Sequence, residues 1–339
     1  MIDLISVSEN ELSQTMRSIR GELIARGWQA KIPYVGSPHC FITRSDGKAL
    51  HIFSATPPTT SYAAAHLAND KYATYQVIAD TDIPQSPTML VKYSQDSSEA
   101  IKFMKEHGLV VVKPLDAGHG KGITVNISTE PQLEAALEEA KISGHSSNNA
   151  LVQAQYKHEI SYDLRLLCID FTYCAAILRV PARVRGDGIH TVRELIDLEN
   201  ESGKRGKAYY APLATIDINK AQQYLGKKVD EIPAQGADVR VLGIANYGAG
   251  GETIDVTDLI PQALKDYAVK ASQLCELPVA GVDFLLSEPP HPGVTLSELD
   301  PILIEINKCP LLTMHDHPTS GKSRHVVARY MDYLTNLDA

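Results

Sequence analysis

Residues 110–125 read VVVKPLDAGHGKGITV, with glycines at 118, 120 and 122 held between two β-branched runs. A glycine-rich loop beside a lysine binds phosphate in several unrelated folds, and its flanks decide between them. A Walker loop needs GxxxxGK[ST] opening a helix, but here Ile123 stands where the second glycine belongs, and Gly122 follows Lys121. The dinucleotide fingerprint GxGxxG fails at the same Ile123. The ITVNI that follows is strand-like, so the loop joins two strands and no helix dipole backs it. What remains is a strand–loop–strand flap whose bare backbone amides close over a polyphosphate, with Lys113 reaching in from one side. The bland alternative is a hairpin whose glycines only supply positive φ. Alternating glycines together with Lys113, His119 and Lys121 exceed that need.

The chain around the loop has 339 residues, more than one core usually fills, so two or three subdomains about a shared cleft are expected. Net charge is −9, which argues against a nucleic-acid partner. No apolar run approaches membrane-spanning length, and MIDLISVSENEL lacks the basic start and apolar core of a signal peptide. The cysteines (Cys40, Cys168, Cys174, Cys275, Cys309) are odd in number and form no CxxC pair, so a reducing cytoplasm is the expected location.

Apolar spacing predicts a helix in 9–27 closed by Gly27, then a hairpin in HCFITRSDGKALHIF around SDGK. A helix at 61–80, a strand TMLVKY and a helix at 97–107 precede the flap. A helix from Glu130 to Ile142, with Pro131 in its first turn, follows it. SGHSSNNA (143–150) is the candidate link between subdomains, after which LVQAQY, LRLLCI and YCAAILRV alternate like strands of an antiparallel sheet. An insertion-like stretch, 183–250, holds a helix at 191–200. A helix at 260–276, strands GVDFLL and ILIEIN, and a helix at 323–334 complete the chain. Helices and strands mix without regular alternation, which favours α+β over a doubly wound sheet.

Two further constellations carry chemistry. Glu305 and Asn307 in ILIEIN lie two apart and share a strand face, and Asp283 in GVDFLL belongs to a neighbouring segment. Two carboxylates and an amide oxygen are hard donors suited to Mg²⁺; polar strand ends facing water are the alternative. Arg165 in DLRLLC and Arg179 after AAIL sit on apolar strands and so need anionic partners, either a ligand or a structural carboxylate such as Asp163.

Taken in order, the flap lysine, the arginine-bearing strands and the closing D…E-x-N triad resemble an ATP-grasp ligase. VVVKPLDAGHGKGITVNI, RVPARVRGDGIHTVRELIDLEN, GGETIDVTDLI and MHDHPTSGKSR are similar to the ATP-grasp modules of cyanophycin synthetase and of bifunctional glutathione synthetase. The resemblance, from about residue 60 to 335, implies an α+β ATP-grasp fold: two α+β subdomains gripping ATP, preceded by a small N-terminal α/β domain. The implied divisions are 1–66, 67–150 with the flap, and 151–339 with the metal site. The chain looks like a stand-alone version of that unit.

Carried over residue by residue, the resemblance makes Arg179, Arg165 and Lys113 the catalytic candidates. Lys71 and Lys113 contact the ATP phosphates, and the flap residues Asp116, Gly118, His119, Gly120, Lys121 and Gly122 cover them. Gln153, Ala154 and Tyr156 form the adenine-reading hinge, with glutamine at 153 where a glutamate is usual, and Asp163 approaches the ribose. Asp283, Glu305 and Asn307 are the metal triad. Arg240, Asn246, Gly250, Gly251, His315, Gly321 and Arg324 are substrate candidates, although Ile244 departs from the pattern near 240–248. The implied cofactors are ATP and Mg²⁺, two ions, with Mn²⁺ as a substitute. The implied reaction is ADP-forming amide or peptide synthesis through an acyl phosphate, joining an amino-acid or peptide carboxylate to an amine. The expected partners are those small-molecule or peptide substrates in a cytoplasmic homo-oligomer, a dimer or tetramer. A phosphotransferase using the same Mg·ATP site and a non-catalytic nucleotide-binding module are the alternatives. Arg179→Ala and Asp283→Ala are expected to lose turnover while retaining the fold. Cys309 reads as packing.

Overall fold

The computed structural model describes residues 1–115, 122–144, 148–158, 160–211, 213–243, 245 and 247–337. The chain opens with an antiparallel meander of β1 (Ile2–Asp3), β2 (Gln29–Ile32), β3 (His39–Thr43) and β4 (Ala49–Phe53). The expected hairpin is β3–β4, where Cys40, Ile42, Leu50 and Ile52 alternate inward and are buried. The helix Gln14–Ala25 starts at Ser13, whose hydroxyl accepts the Met16 N–H, and it buries Met16, Ile19 and Leu23. These side chains share one core with Val327, Tyr330, Met331 and Leu334 of the C-terminal helix Val326–Thr335, and with Leu167 and Val279. Burying each such side chain is worth roughly 1.5–3 kcal/mol, so the two ends of the chain brace one another.

A second antiparallel sheet has the order β5-β8-β6-β7, from β5 (Thr88–Lys92), β6 (Val110–Pro114), β7 (Thr124–Ile127) and β8 (Asn149–Ala154). Helices Ser98–His107 and Glu130–Ser143 cover one face, packing Met104, Leu133 and Ala136 on Val110, Val112 and Val152. Alternation then turns Lys113 and Gln153 to the other face. Because β8 lies between β5 and β6, the segment 143–150 connects a helix to a central strand of this sheet and does not link two subdomains. LVQAQY accordingly belongs to the flap sheet. Its apolar alternation matches both sheets, and only pairing separates them.

The largest sheet has the order β15-β10-β9-β16-β17 and is antiparallel throughout. Its first strands are β9 (Tyr162–Ile169) and β10 (Thr172–Val180). An insertion follows with β11 (Arg183–Arg185), β12 (Arg205–Gly206), β13 (Leu213–Ala214) and β14 (Asp238–Arg240), and its own core around Leu195, Ile196, Ile216 and Val241. The sheet is completed by β15 (Glu252–Asp255), β16 (Val279–Leu286) and β17 (Ile302–Asn307). Helix Gln262–Leu274 packs Leu264 and Ala268 against Leu164, Leu166, Val282 and Phe284. The intervening residues 163, 165, 177, 179 and 283 therefore share the opposite face. Among the described residues no helix is long and apolar enough to cross a membrane.

Candidate functional site

The free faces of the flap sheet and the large sheet meet across a cleft of about 1280 Å³ that also reaches the N-terminal region and the insertion. Strand register assembles its charged floor. Arg179 stands opposite Asp163, Asp163 lies two residues from Arg165, Arg165 is opposite Asp283, and Asp283 is opposite Glu305.

Asp283 is fully buried and takes a two-point contact from Arg165, Nε to Oδ1 at 2.6 Å and Nη2 to Oδ2 at 2.7 Å. Arg179 Nη2 donates to the same Oδ2 at 2.9 Å and its Nε to Asp163 Oδ1 at 2.9 Å. Burial alone would raise the Asp283 carboxyl, but Arg165 and then Arg179 outweigh it and hold it at about 2. At Asp163 burial, helped by the neighbouring Asp283 charge, outweighs Arg179 and the weaker pull of Arg165 and pushes the carboxyl up to about 6. Burial works against the Arg179 charge too, and Asp283 and Asp163 overcome it, so the guanidinium stays protonated. Both alternatives for the arginines are thus met in part: each has a carboxylate partner, and each lines the cleft.

Asn307 Nδ2 donates to Asp283 Oδ2 and to Glu305 Oε1, both at 3.2 Å. An amide NH₂ between two carboxylates occupies the position a cation would take, and turning the amide over presents its oxygen instead. Asp283, Glu305 and Asn307 then offer an all-oxygen set of the kind Mg²⁺ takes, so the residues fit that ion.

On the opposite wall Lys113 Nζ donates to Gln153 Oε1 at 2.9 Å, and Gln153 Nε2 to Thr88 Oγ1 at 2.8 Å, a row running from β6 through β8 to β5. Burial lowers the Lys113 ammonium to about 8; Glu305 opposes that shift and Lys71 adds to it. Lys71 opens the helix Lys71–Ala79, capped by Asp70, and lines the same cleft. A lysine pair facing an arginine pair, with a carboxylate set beneath, is a receptacle for a metal-bound polyphosphate.

The other sequence candidates divide. Asp116, Gly118, His119, Gly120, Lys121 and Asn246 lie outside the described residues. Gly122 sits at φ 67°, and a Cβ there would come 2.5 Å from Ser143 Cβ, so this glycine lies close against the end of the helix Glu130–Ser143. Asp163 is engaged by Arg179, which favours a cation-holding over a ribose-binding part. Tyr156 is turned to the Asp300 carbonyl, its hydroxyl donating at 2.6 Å, and Ala154 N–H goes to the Pro87 carbonyl at 2.9 Å.

Most of the substrate candidates do not meet the cleft. His315 is fully buried, burial pushes its imidazole down to about 3, and neither ring nitrogen has a hydrogen-bond partner among the described residues. A neutral, sealed imidazole cannot hold a carboxylate. Arg324 is spent on Asp255, Nη2 at 2.6 Å, and on Asp258, Nη1 at 2.8 Å. Gly321, at φ 103°, passes so close to β15 that a Cβ would lie 2.6 Å from Asp255 Cβ. Arg240 donates to the Leu242 and Gly243 carbonyls of its own turn. Gly250, at φ 98°, gives its carbonyl to Arg205 Nη1 at 2.8 Å, and Gly251 is buried beside it. Sequence reasoning missed Ser13, Thr15, Phe53, Tyr209 and Tyr247, which line the cleft from distant segments. The available signal was weak: the 183–250 insertion holds four tyrosines (Tyr209, Tyr210, Tyr224 and Tyr247), and nothing local marks out the two that line the cleft.

Comparison with known proteins bears on the family and the fold. Residues 80–190 match the family described as prokaryotic glutathione synthetase, ATP-grasp domain. Cyanophycin synthetase of Nostoc sp. is 32% identical over 279 residues, 81% of this chain and 30% of that protein. The bifunctional glutathione biosynthesis protein of Listeria monocytogenes is 26% identical over 342 residues, 98% of this chain and 42% of that protein. The crystal structure of a bifunctional glutathione synthetase from Pasteurella multocida superposes with a TM-score of 0.71 at 23% identity, covering 97% of this chain and 44% of that one. The chain therefore spans less than half the length of these relatives. The chain has the ATP-grasp fold, and over most of its length it is similar in sequence to cyanophycin synthetases and bifunctional glutathione synthetases.

Proposed function

We propose that the chain is an ADP-forming carboxylate–amine ligase that makes an amide or peptide bond between amino-acid or peptide substrates. The observation that carries this is the buried Arg165–Asp283–Arg179 cluster beside Glu305 and Asn307, facing Lys113 across one cleft. A substrate carboxylate attacks the γ-phosphorus of ATP and expels ADP, leaving an acyl phosphate. An amine then attacks the acyl carbon, the tetrahedral intermediate collapses, and phosphate leaves with the amine's proton passing to solvent or phosphate. Each step gathers anionic oxygens at one point, and cations must offset their repulsion. In this proposal Lys71 and Lys113 hold the nucleotide phosphates and Arg179 meets the transferred phosphoryl group. Arg165 fixes Asp283. Mg²⁺, held by Asp283, Glu305 and Asn307, supplies charge neutralisation when bound. We take two ions as the full complement and Mn²⁺ as an accepted substitute. The 116–122 loop excludes water from the acyl phosphate, whose hydrolysis would waste ATP. We place the nucleotide between the flap sheet and the large sheet, in a cytoplasmic homo-oligomer.

The test is ATP consumption by the purified chain with Mg²⁺ against pairs of amino acids and short peptides, with mass spectrometry of the products. The expected result is ADP release that depends on both acid and amine, with one amide formed per ADP. ADP release without an amine, yielding a stable phosphorylated product, would favour a phosphotransferase instead.

A further inference from the structure

Beyond the ion-pair row the cleft changes character. Two residues along β10 from Arg179 comes Ile177, which clusters with Tyr247 and Met314, with Tyr209 and Leu311 packed against them. Thr15 and Phe53 of the N-terminal region continue this wall. Among the described residues the charged groups lining the cleft are Lys71, Lys113, Asp163, Arg165, Arg179 and Glu305, and none of them belongs to this cluster. The far end is therefore apolar and aromatic with a few hydroxyls.

One tyrosine of this wall is held in a conformation that a bulky residue avoids: Tyr209 has φ 67°. The start of the helix Gln14–Ala25 holds it there. Gln14 N–H, a first-turn donor with no intrahelical acceptor, gives its hydrogen bond to the Tyr209 carbonyl at 2.8 Å. Gln14 Nε2 donates to the Ala211 carbonyl at 2.7 Å, and Arg17 Nη2 donates to that of Tyr210. The Tyr247 hydroxyl donates to Gln14 Oε1 at 3.0 Å, so one buried residue ties both tyrosines to the N-terminal region, Tyr209 through the Gln14 backbone N–H and Tyr247 through the Gln14 side chain.

We propose that Tyr209 and Tyr247, positioned by Gln14, form the specificity wall of the cleft and select a substrate with an uncharged, apolar or aromatic side chain. A charged side chain would be desolvated against this cluster, whose own members carry no charge to meet it. The wall rests on the ligase reading for the word substrate, but its test needs no turnover.

Saturation-transfer NMR on the full chain with Mg·AMPPNP would rank L-leucine, L-phenylalanine, L-aspartate and L-lysine. Leucine and phenylalanine are expected to receive the stronger transfer, and Tyr209→Ala to weaken them ~10-fold, the scale of a lost apolar contact surface. Tyr247→Phe removes only the hydroxyl on Gln14, leaves the ring, and is expected to weaken the same ligands less while AMPPNP affinity stays unchanged. Stronger transfer to aspartate or lysine, no transfer to any of the four, or undiminished transfer in Tyr209→Ala would overturn the proposal. ADP release with no amide product would defeat the ligase reading and leave the ranking intact. Normal amide synthesis from charged substrates alone would defeat the wall and leave the ligase reading standing.

Discussion

Raising the pH from 7 to 9 should weaken nucleotide binding through Lys113. Its ammonium is lowered to about 8 by burial, from 10.5. At pH 7 about 90% of the free protein then carries the charge and at pH 9 about a tenth of that, so a ligand that needs it binds about tenfold more weakly, ~1.4 kcal/mol. The sign in folding is opposite. A base whose folded pKa lies below its unfolded one binds fewer protons when folded, so this group's contribution to stability rises as pH climbs from 8 to 10.5. Weaker binding at pH 9 thus cannot come from unfolding at this site. Calorimetry with Mg·AMPPNP at both pH values, in two buffers of different ionisation enthalpy, should show the affinity drop and an uptake of close to one proton at pH 9. Lys113→Met should bind weakly at pH 7 and lose no further affinity by pH 9. An equal pH dependence in wild type and Lys113→Met, or no proton uptake at pH 9, would refute the reasoning.

Other outcomes follow from the same geometry. Asp283→Ala removes a fully buried carboxylate from under two guanidinium groups, so it should abolish turnover and also cost about 3–5 kcal/mol in denaturant melts, more than the sequence alone suggested. Arg179→Ala should lower kcat on the order of a hundredfold, read as ADP release at saturating substrate. Gly321→Ala places a methyl 2.6 Å from Asp255 Cβ at φ 103°, and should destabilise by ~2 kcal/mol in thermal melts without changing the KM for ATP. His315→Leu replaces a buried imidazole that has no hydrogen-bond partner among the described residues. It should leave both substrate KM values unchanged and hold or raise the melting temperature.

The parts of the site legible in the sequence are those whose signal is local. The glycines between β-branched runs announced the flap sheet, and the i, i+2 spacing of Glu305 and Asn307 put both on one strand face. What stayed hidden depended on pairing between distant segments. Arg165 and Asp283 are separated by 118 positions, and only the β9–β16 register makes them a two-point ion pair. The same holds for Gln14, which reads as an ordinary first-turn residue until the insertion folds onto it. Arg324 and His315 looked functional because a cation and an imidazole beside a metal strand suggest anion binding. Burial and the carboxylates of Asp255 and Asp258 decide otherwise, and neither is written near residue 320.

Acyl-phosphate formation leaves an isotopic mark, so oxygen transfer tests the central claim most directly. With the acid substrate labelled by ¹⁸O in both carboxylate oxygens, one labelled oxygen should appear in the released phosphate and the other should remain in the amide. Unlabelled phosphate alongside amide product, or label confined to a stable phosphorylated acid with no amide formed, would contradict the account.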